Sequence, residues 1–327
     1  MNPPRSILLI KPGSMGDVIH ALPVAAALHE AWPQSKITWL IDPRWSPILA
    51  GNPAVAAVHH FPRESFRGLG GIVRAAKWSF ELARLRPDLA LDLQGLLRSG
   101  LTARLSLAKQ TMGLSDAREG ARFLYQRTAR LGDVQHAVDR YLTCLPALGI
   151  AVPEKKTFPI AVPRELLTRS ITDDYVVLHP FARGEAKSLG AAEIEALVTE
   201  LSAKSGRTIV LVGFGPALGD FGGRVVNLVG QTQLGELIAL IAKARFVISV
   251  DSGPMHLAAA LGVPLLGIHT WSDPRRVGPY STDAWIWQGG DIRRQDLAKA
   301  PLPESPFEVR EAACVGGFVA GLLDRAG

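Results

Sequence analysis

Two short segments gather residue types that could do chemistry. The first, Lys11-Pro12-Gly13-Ser14-Met15-Gly16-Asp17-Val18-Ile19-His20, follows the apolar run Ile7-Leu8-Leu9-Ile10 and leads into a helical pattern. A loop leaving the carboxyl end of a strand is where an α/β sheet carries its functional residues. The two glycines would let a bound molecule approach the backbone, with Asp17 facing the same crevice. Asp17 could equally be an N-cap or first-turn carboxylate serving the helix dipole. The spacing is not G-x-G-x-x-G, so the loop is a poor dinucleotide fingerprint.

The second segment follows the run Phe246 to Val250 and reads Asp251-Ser252-Gly253-Pro254-Met255-His256-Leu257, continuing through three alanines to Leu261-Gly262-Val263-Pro264. Asp or Ser as N-cap with Pro254 in the first turn starts a helix, and Gly262 with Pro264 stops it. Unpaired N–H groups at such a start suit a diphosphate, with His256 one turn in to donate to it or close the pocket. The same pattern also describes an ordinary capped helix.

The elements that must position these segments alternate. Ile7 to Ile10, Ile37 to Ile41, Val55 to Phe61 and Leu89 to Leu93 read as strands, and Val18 to Trp32, Gly71 to Leu85 and Leu96 to Leu107 as helices. Pro153, Pro159 and Pro163 punctuate a connector. The rhythm then restarts, with strands Tyr175 to Leu178, Ile209 to Val212, Val225 to Val229, Phe246 to Val250 and Leu265 to Ile268. Its helices are Ala191 to Ser205, Leu234 to Ala244 and Met255 to Leu261. The expectation is α/β, two doubly wound domains at 1–160 and 161–327 with ligands in the cleft at their strand ends. A last amphipathic helix, Phe307 to Leu323, could cap either domain.

Composition narrows the partners. In 327 residues, 47% hydrophobic and 20% charged, each half can form a core, which excludes disorder and disulfide-stapled miniproteins. Cys144 and Cys314 are the two cysteines, too far apart for a spaced zinc site, and a reducing compartment is expected. No Walker loop, HExxH, CxxC or Gly-x-Ser-x-Gly occurs. Residues 1–160 carry 20 Lys+Arg against 12 Asp+Glu, whereas 161–327 carry 16 against 18. The basic half suggests an anionic partner, such as nucleic acid, an acidic small molecule or an anionic membrane, or else a merely solvated surface. No signal peptide or membrane span is read, so the expected location is cytoplasmic.

Ser-Met-Gly-Asp-Val-Ile-His at 14–20 with Leu22-Pro23, taken together with Asp-Ser-Gly-Pro-Met-His-Leu at 251–257, resembles the bacterial ADP-heptose-dependent heptosyltransferases. These are family-nine glycosyltransferases of lipopolysaccharide core assembly. Asp92-Leu93-Gln94-Gly95-Leu96 with Arg98-Ser99, Ala117-Arg118-Glu119, His136-Ala137-Val138-Asp139-Arg140 and Ser272-Asp273-Pro274 add to it, over about residues 5–280. The Asp-Leu-Gln-Gly and Ala-Arg-Glu segments are most similar to heptosyltransferase I.

The resemblance implies a GT-B fold: two facing Rossmann-like domains, acceptor on the first and nucleotide sugar on the second. It implies an inverting, metal-independent transfer of heptose from ADP-heptose to Kdo-lipid A, with no cofactor, at the cytoplasmic face of the inner membrane. Asp17 would be the general base and Lys187 would hold the departing phosphate. Ser14, Gly16, Arg183, Lys187, Gly213, Asp251, Ser252, Gly253, Met255 and His256 would contact the donor. His20, Arg63, Arg67, Gln94, Arg98, Arg118, Arg122 and Arg140 would contact the acceptor. Other readings are transfer to an outer-core sugar or a protein hydroxyl, an epimerase or hydrolase of the same fold, and a sugar-phosphate or nucleic-acid binding module. The lack of aromatic-basic interleaving argues against nucleic acid.

Two departures stand out. Phe214-Gly215-Pro216 replaces a glutamate that relatives often carry, so a donor contact is absent or moved to Asp220. Thr270-Trp271-Ser272-Asp273-Pro274 replaces Gly-Pro-Thr-Asp-Pro, where Trp271 packs the loop or alters donor preference.

Overall fold

The computed structural model describes residues 3–163, 171, 174–184, 187–219, 221–296 and 300–325. The chain divides into two compact units, Met1–Ala161 and Val162–Gly327.

The first unit contains strands β1 (Ser6–Ile10), β2 (Lys36–Ile41), β3 (Ala57–His60), β4 (Leu89–Asp92), β5 (Gln110–Leu114) and β6 (Arg127–Ala129). Its helices are α1 (Met15–Ala31), α2 (Leu69–Ala83), α3 (Leu97–Leu105), α4 (Ala137–Leu142) and α5 (Cys144–Ala147). The strands form one parallel sheet in the order β3-β2-β1-β4-β5-β6. Ile7 to Ile10 are at most 1% exposed because β1 is central and covered on both faces, which is why it reads as an unbroken apolar run. Strand order reverses between β1 and β4, so the crevice at their carboxyl ends is the switch point where such sheets bind ligands. Trp78 and Leu82 of α2 and Ala103 of α3 share one core cluster with Leu8, Ile10, Leu40 and Ala90.

The second unit contains β7 (Tyr175–His179), β8 (Thr208–Leu211), β9 (Val225–Asn227), β10 (Phe246–Val250), β11 (Leu265–Ile268), β12 (Trp285–Gln288) and β13 (Asp291–Arg294). Helices α6 (Ala191–Ser205), α7 (Leu234–Lys243), α8 (Gly253–Ala260), α9 (Pro274–Val277) and α10 (Val309–Arg325) accompany them. The order is β13-β12-β11-β10-β7-β8-β9, parallel except for the β12–β13 pair. Its reversal lies between β7 and β10, which places the loops after His179 and Val250 side by side.

The sequence reading left out β5, β6, β12, β13, α4, α5 and α9. β6 is a three-residue edge strand, and β12 and β13 form a hairpin through Gly289-Gly290, both at positive φ, so none carries a long apolar run. α1 starts at Met15 rather than Val18, because Ser14 caps it within the loop. The open question about the last helix is settled: α10 packs on α6 and contributes Ala312, Val315, Val319 and Leu323 to the second unit's own core. The contact is close at Gly316, where a Cβ would lie 3.0 Å from the Leu197 carbonyl oxygen.

Candidate functional site

In the first unit the loop after β1 turns directly into α1, and Asp17 becomes the third residue of that helix. Its Oδ2 accepts from the Ser14 backbone N–H at 2.9 Å and from the Ser14 hydroxyl at 3.0 Å. Its Oδ1 accepts from the Tyr141 hydroxyl at 2.8 Å and lies 3.4 Å from the Lys11 ammonium. Asp17 is thus a first-turn carboxylate that closes a capping box with Ser14. It caps the helix, and with 37% of its side chain exposed it also presents a carboxylate to solvent. Partial burial would raise its pKa, but Lys11, Tyr141 and Ser14 together outweigh that and hold the carboxyl below its ordinary value.

Lys11 is the unusual member. It is 2% exposed, donates to the Leu93 carbonyl at 3.3 Å, and sits 4.6 Å above the Tyr141 ring. Burial lowers its pKa, partly offset by Asp17. The Tyr141 hydroxyl is pushed far upward by burial and by the Asp17 charge, so it serves as a donor rather than an acid.

Around this centre Arg140 pairs with Asp116, and the Arg118 backbone N–H donates to the Gly95 carbonyl at 2.8 Å. Arg140 directly precedes Tyr141 on α4, and the charges of Arg118 and Arg140 work against the rise of the Tyr141 pKa. Gln94 ends the β4 turn with its Oε1 buried and unpartnered. Asp92 beside it is fully buried and accepts from the N–H groups of Gln94 and Gly95 and, at 2.6 Å, from the Tyr125 hydroxyl. Burial raises its pKa, which with those bonds marks it as the anchor of the turn. Glu119 likewise accepts from the Leu97 N–H at 3.1 Å and tethers the start of α3.

The remaining acceptor candidates are His20, Arg63, Arg67, Arg98 and Arg122. His20 is only 4% exposed and packs edge-on to His136 with ring centroids 5.3 Å apart. Arg63 and Arg67 are exposed beyond β3, and Arg67 pairs with Glu64 at 2.9 Å. Arg98 is exposed on α3, and exposed Arg122 stacks 4.6 Å from the Phe123 ring.

In the second unit the loops after β7 and β10 meet. Lys187 Nζ donates to Asp251 Oδ2 at 2.9 Å and lies 4.1 Å from the centroid of the Trp271 ring. Asp251 Oδ1 is 3.9 Å from His256 Nε2, and both side chains are under a tenth exposed. Burial would raise the Asp251 pKa, yet His269, His256 and Lys187 hold it below its ordinary value. His269 is fully buried, lies 2.9 Å from the Ser272 hydroxyl through Nδ1, and keeps Nε2 unpartnered. Ser252 caps α8, and its hydroxyl lies 3.1 Å from His179 Nδ1. Gly213 closes this wall at φ +119, and a Cβ there would come within 2.9 Å of His179 Nε2. Gly253 opens α8, Met255 is fully buried, and Arg183 is exposed.

Seven donor candidates of the second unit (Lys187, Gly213, Asp251, Ser252, Gly253, Met255 and His256) thus line the joined ends of β7, β8 and β10. Ser14 and Gly16 belong to the first unit at the start of α1. Asp220 lies outside the described residues. Among those described, no group of three or more His, Cys, Asp or Glu is arranged for a metal ion.

Sequence reasoning gave no role to Lys11, Tyr141, His179 or His269. Lys11 stood in the quoted loop and Tyr141 directly after the His136 to Arg140 match. The signal was an ionisable residue at the end of a fully apolar strand, and only the fold shows that Tyr141 returns to it. His179 and His269 each close an apolar run, and their burial was not legible.

Residues 78–300 match glycosyltransferase family 9 (heptosyltransferase). The chain is 30% identical to lipopolysaccharide heptosyltransferase 1 of Pseudomonas aeruginosa over 318 residues, covering 92% of this chain and 88% of that protein. It is 29% identical to lipopolysaccharide heptosyltransferase 1 of Escherichia coli K12 over 297 residues, covering 86% of this chain and 92% of that one. Among solved structures, E. coli heptosyltransferase WaaC with ADP-2-deoxy-2-fluoro heptose superposes with a TM-score of 0.79 at 25% identity, covering 97% of this chain and 99% of that one.

Proposed function

This chain belongs to glycosyltransferase family 9, the heptosyltransferases, and from that premise we propose the particular transfer that its two clusters perform. The protein is a glycosyltransferase that moves heptose in lipopolysaccharide core assembly. The donor is ADP-heptose, taken by the second unit, and the acceptor is the anionic Kdo-lipid A, taken by the first.

The observation that carries this reading is the ionised, one-third-open Asp17 carboxylate at the switch point of the first sheet, beside the Lys11 ammonium. Asp17 accepts the proton of the acceptor hydroxyl as that oxygen bonds to the anomeric carbon. The bond from that carbon to the diphosphate oxygen breaks on the opposite face, which inverts the centre and releases ADP. A positioned base is worth about 10²–10⁴ in rate. Lys187, with the N–H groups that open α8 at Gly253, takes up the negative charge developing on the leaving diphosphate. In the resting protein Asp251 and the Trp271 ring keep that ammonium in place. Cationic side chains supply the charge needed here, so the transfer is proposed to run without a metal.

Arg118 and Arg140 attract the carboxylates and phosphates of the acceptor. Among the described residues no helix is long and apolar enough to cross a membrane. A lipid-linked acceptor would then be met at the cytoplasmic face of the inner membrane by peripheral association.

The test is incubation with ADP-heptose and Kdo-lipid A followed by mass spectrometry, with Asp17→Asn in parallel. The expected result is a gain of one heptose that is lost in the variant. Donor binding without transfer would overturn the acceptor, and absence of donor binding would overturn the heptose reading.

A further inference from the structure

The first unit carries an outward face that its own fold leaves uncovered. α2 and α3 bury Trp78, Leu82 and Ala103 in one core cluster, so both helices lie on the same side of the sheet and turn their opposite flanks to solvent. On α2 those flanks show Ile72 at 70%, Val73 at 72% and Phe80 at 62% exposed. On α3, Leu97, Leu101 and Leu105 recur every four residues as a single stripe, each more than two-fifths exposed. The short turn Ala121–Leu124 packs against α3 and holds out Phe123 at 77%. Large apolar side chains scattered singly are normal on a surface, but a contiguous set on two adjacent helices marks a contact.

Charge decides what the contact is. Between residues 61 and 109 the chain has nine Lys and Arg against four Asp and Glu, and Asp92 among the acids is fully buried. The cations sit among the apolar groups: Lys77 is exposed on α2, Arg84 lies 4.9 Å from the Phe80 ring, and Arg122 flanks Phe123. Apolar groups interleaved with lysine and arginine match the interface of an anionic bilayer, where the former enter the acyl boundary and the latter meet phosphate headgroups. A second copy of the chain would bring the same positive charge against itself. The N-terminal ends of α2 and α3 also lie at the edge of the sheet that carries Asp17 and Gln94.

We propose that the outward face of α2 and α3, with Phe123, docks the protein on an anionic membrane surface. This rests on the reading of the acceptor as lipid-linked and assigns the surface that reaches it. Docking there would hold the switch-point loops of the first unit near the headgroup layer, so that an acceptor's sugar could enter while its acyl chains remain in the bilayer.

The test is flotation of the full chain with vesicles of phosphatidylcholine containing phosphatidylglycerol, and with phosphatidylcholine alone, for the parent and an Ile72→Ser, Val73→Ser, Phe80→Ser variant. The parent should float with the anionic vesicles and roughly tenfold less with the neutral ones, and the variant should lose roughly tenfold of the anionic binding. Thermal melting confirms that the variant is folded, and its transfer of heptose to an acceptor stripped of acyl chains should match the parent. A parent that transfers heptose yet ignores anionic vesicles overturns the proposal, as does a variant that floats like the parent. A parent dimer that the variant breaks, with flotation unchanged, reassigns the face to self-association and also overturns it. A parent that floats through this face but transfers no heptose keeps the docking surface and removes the function instead.

Discussion

The Tyr141 hydroxyl donates to Asp17 Oδ1 at 2.8 Å across 124 residues of sequence, and the buried ammonium of Lys11 lies 3.4 Å from the same oxygen. One carboxylate oxygen thus takes a phenol and an ammonium, while the other takes the two Ser14 donors that cap α1. A carboxylate so fully bonded is fixed in direction, and its pKa is held below the ordinary value.

Tyr141→Phe removes one donor and leaves Lys11 and Ser14 in place. The Asp17 pKa should rise, and the acid limb of kcat/KM should move to higher pH while the rate at its plateau falls by less than tenfold. Asp17→Asn should instead remove about 10²–10⁴ of turnover at every pH. Both are read from pH-rate profiles. An unshifted acid limb in Tyr141→Phe would show that this hydrogen bond does not set the charge of the base.

Much of this was legible because the glycine-rich loop after β1 and the Asp-Ser-Gly-Pro start of α8 are local: their spacing in sequence is their spacing in space. The partners are not local. Tyr141 reaches Asp17 only because α4 packs against α1, and Trp271 reaches Lys187 only because β11 lies beside β10. The weak elements also escaped, since β6 is three residues long at an edge and α5 a single turn. The packing of His20 against His136 is equally non-local, since 116 residues separate them.

Asp92 anchors the turn after β4. Its carboxyl is wholly buried, and the Tyr125 hydroxyl is its shortest bond at 2.6 Å. Tyr125→Phe would leave that oxygen short of a donor, at a cost of about 1.5–3 kcal/mol, the range for hydrogen bonds to charged groups. Urea unfolding should show the loss at neutral pH and a smaller loss in acid, where Asp92 is protonated in both proteins. An equal loss at both pH values would assign the effect to packing of the ring.

Stability should fall in acid earlier than carboxylates alone require. Burial lowers the pKa of His179 from 6.5 to about 4. Below about pH 6.5 the unfolded chain gains a proton there that the native chain refuses until about pH 4, so stability is full above that window and declines through it. The decline from this group is about 3 kcal/mol at most. Asp17 and Asp251, both held below their ordinary values, add their losses only at lower pH, where their native carboxylates must protonate. His179→Gln should flatten the upper part of the stability curve between pH 6.5 and 4. A curve of unchanged slope would mean that the imidazole titrates normally in the native protein.

The half-exposed ring of Trp271 lies against the ammonium that is proposed to hold the diphosphate. Lys187 has two fixed neighbours, the Asp251 carboxylate and this ring. When a diphosphate arrives, it competes with the carboxylate for the ammonium, but it need not displace the ring, so the indole can hold the lysine in place in both states. A cation–π contact at a partly exposed site is worth about 0.5–1 kcal/mol, which corresponds to roughly two- to fivefold in binding. Trp271→Phe keeps an aromatic face and should bind ADP nearly as the parent does. Trp271→Ser should weaken ADP binding by that factor, and Lys187→Ala should weaken it by tenfold or more. Once Lys187 is removed, the tryptophan substitution should have no further effect. Calorimetric titration of the double variant is the decisive measurement: additive losses would mean that Trp271 acts on the nucleotide directly or merely packs the loop, and non-additive losses that it acts through the lysine.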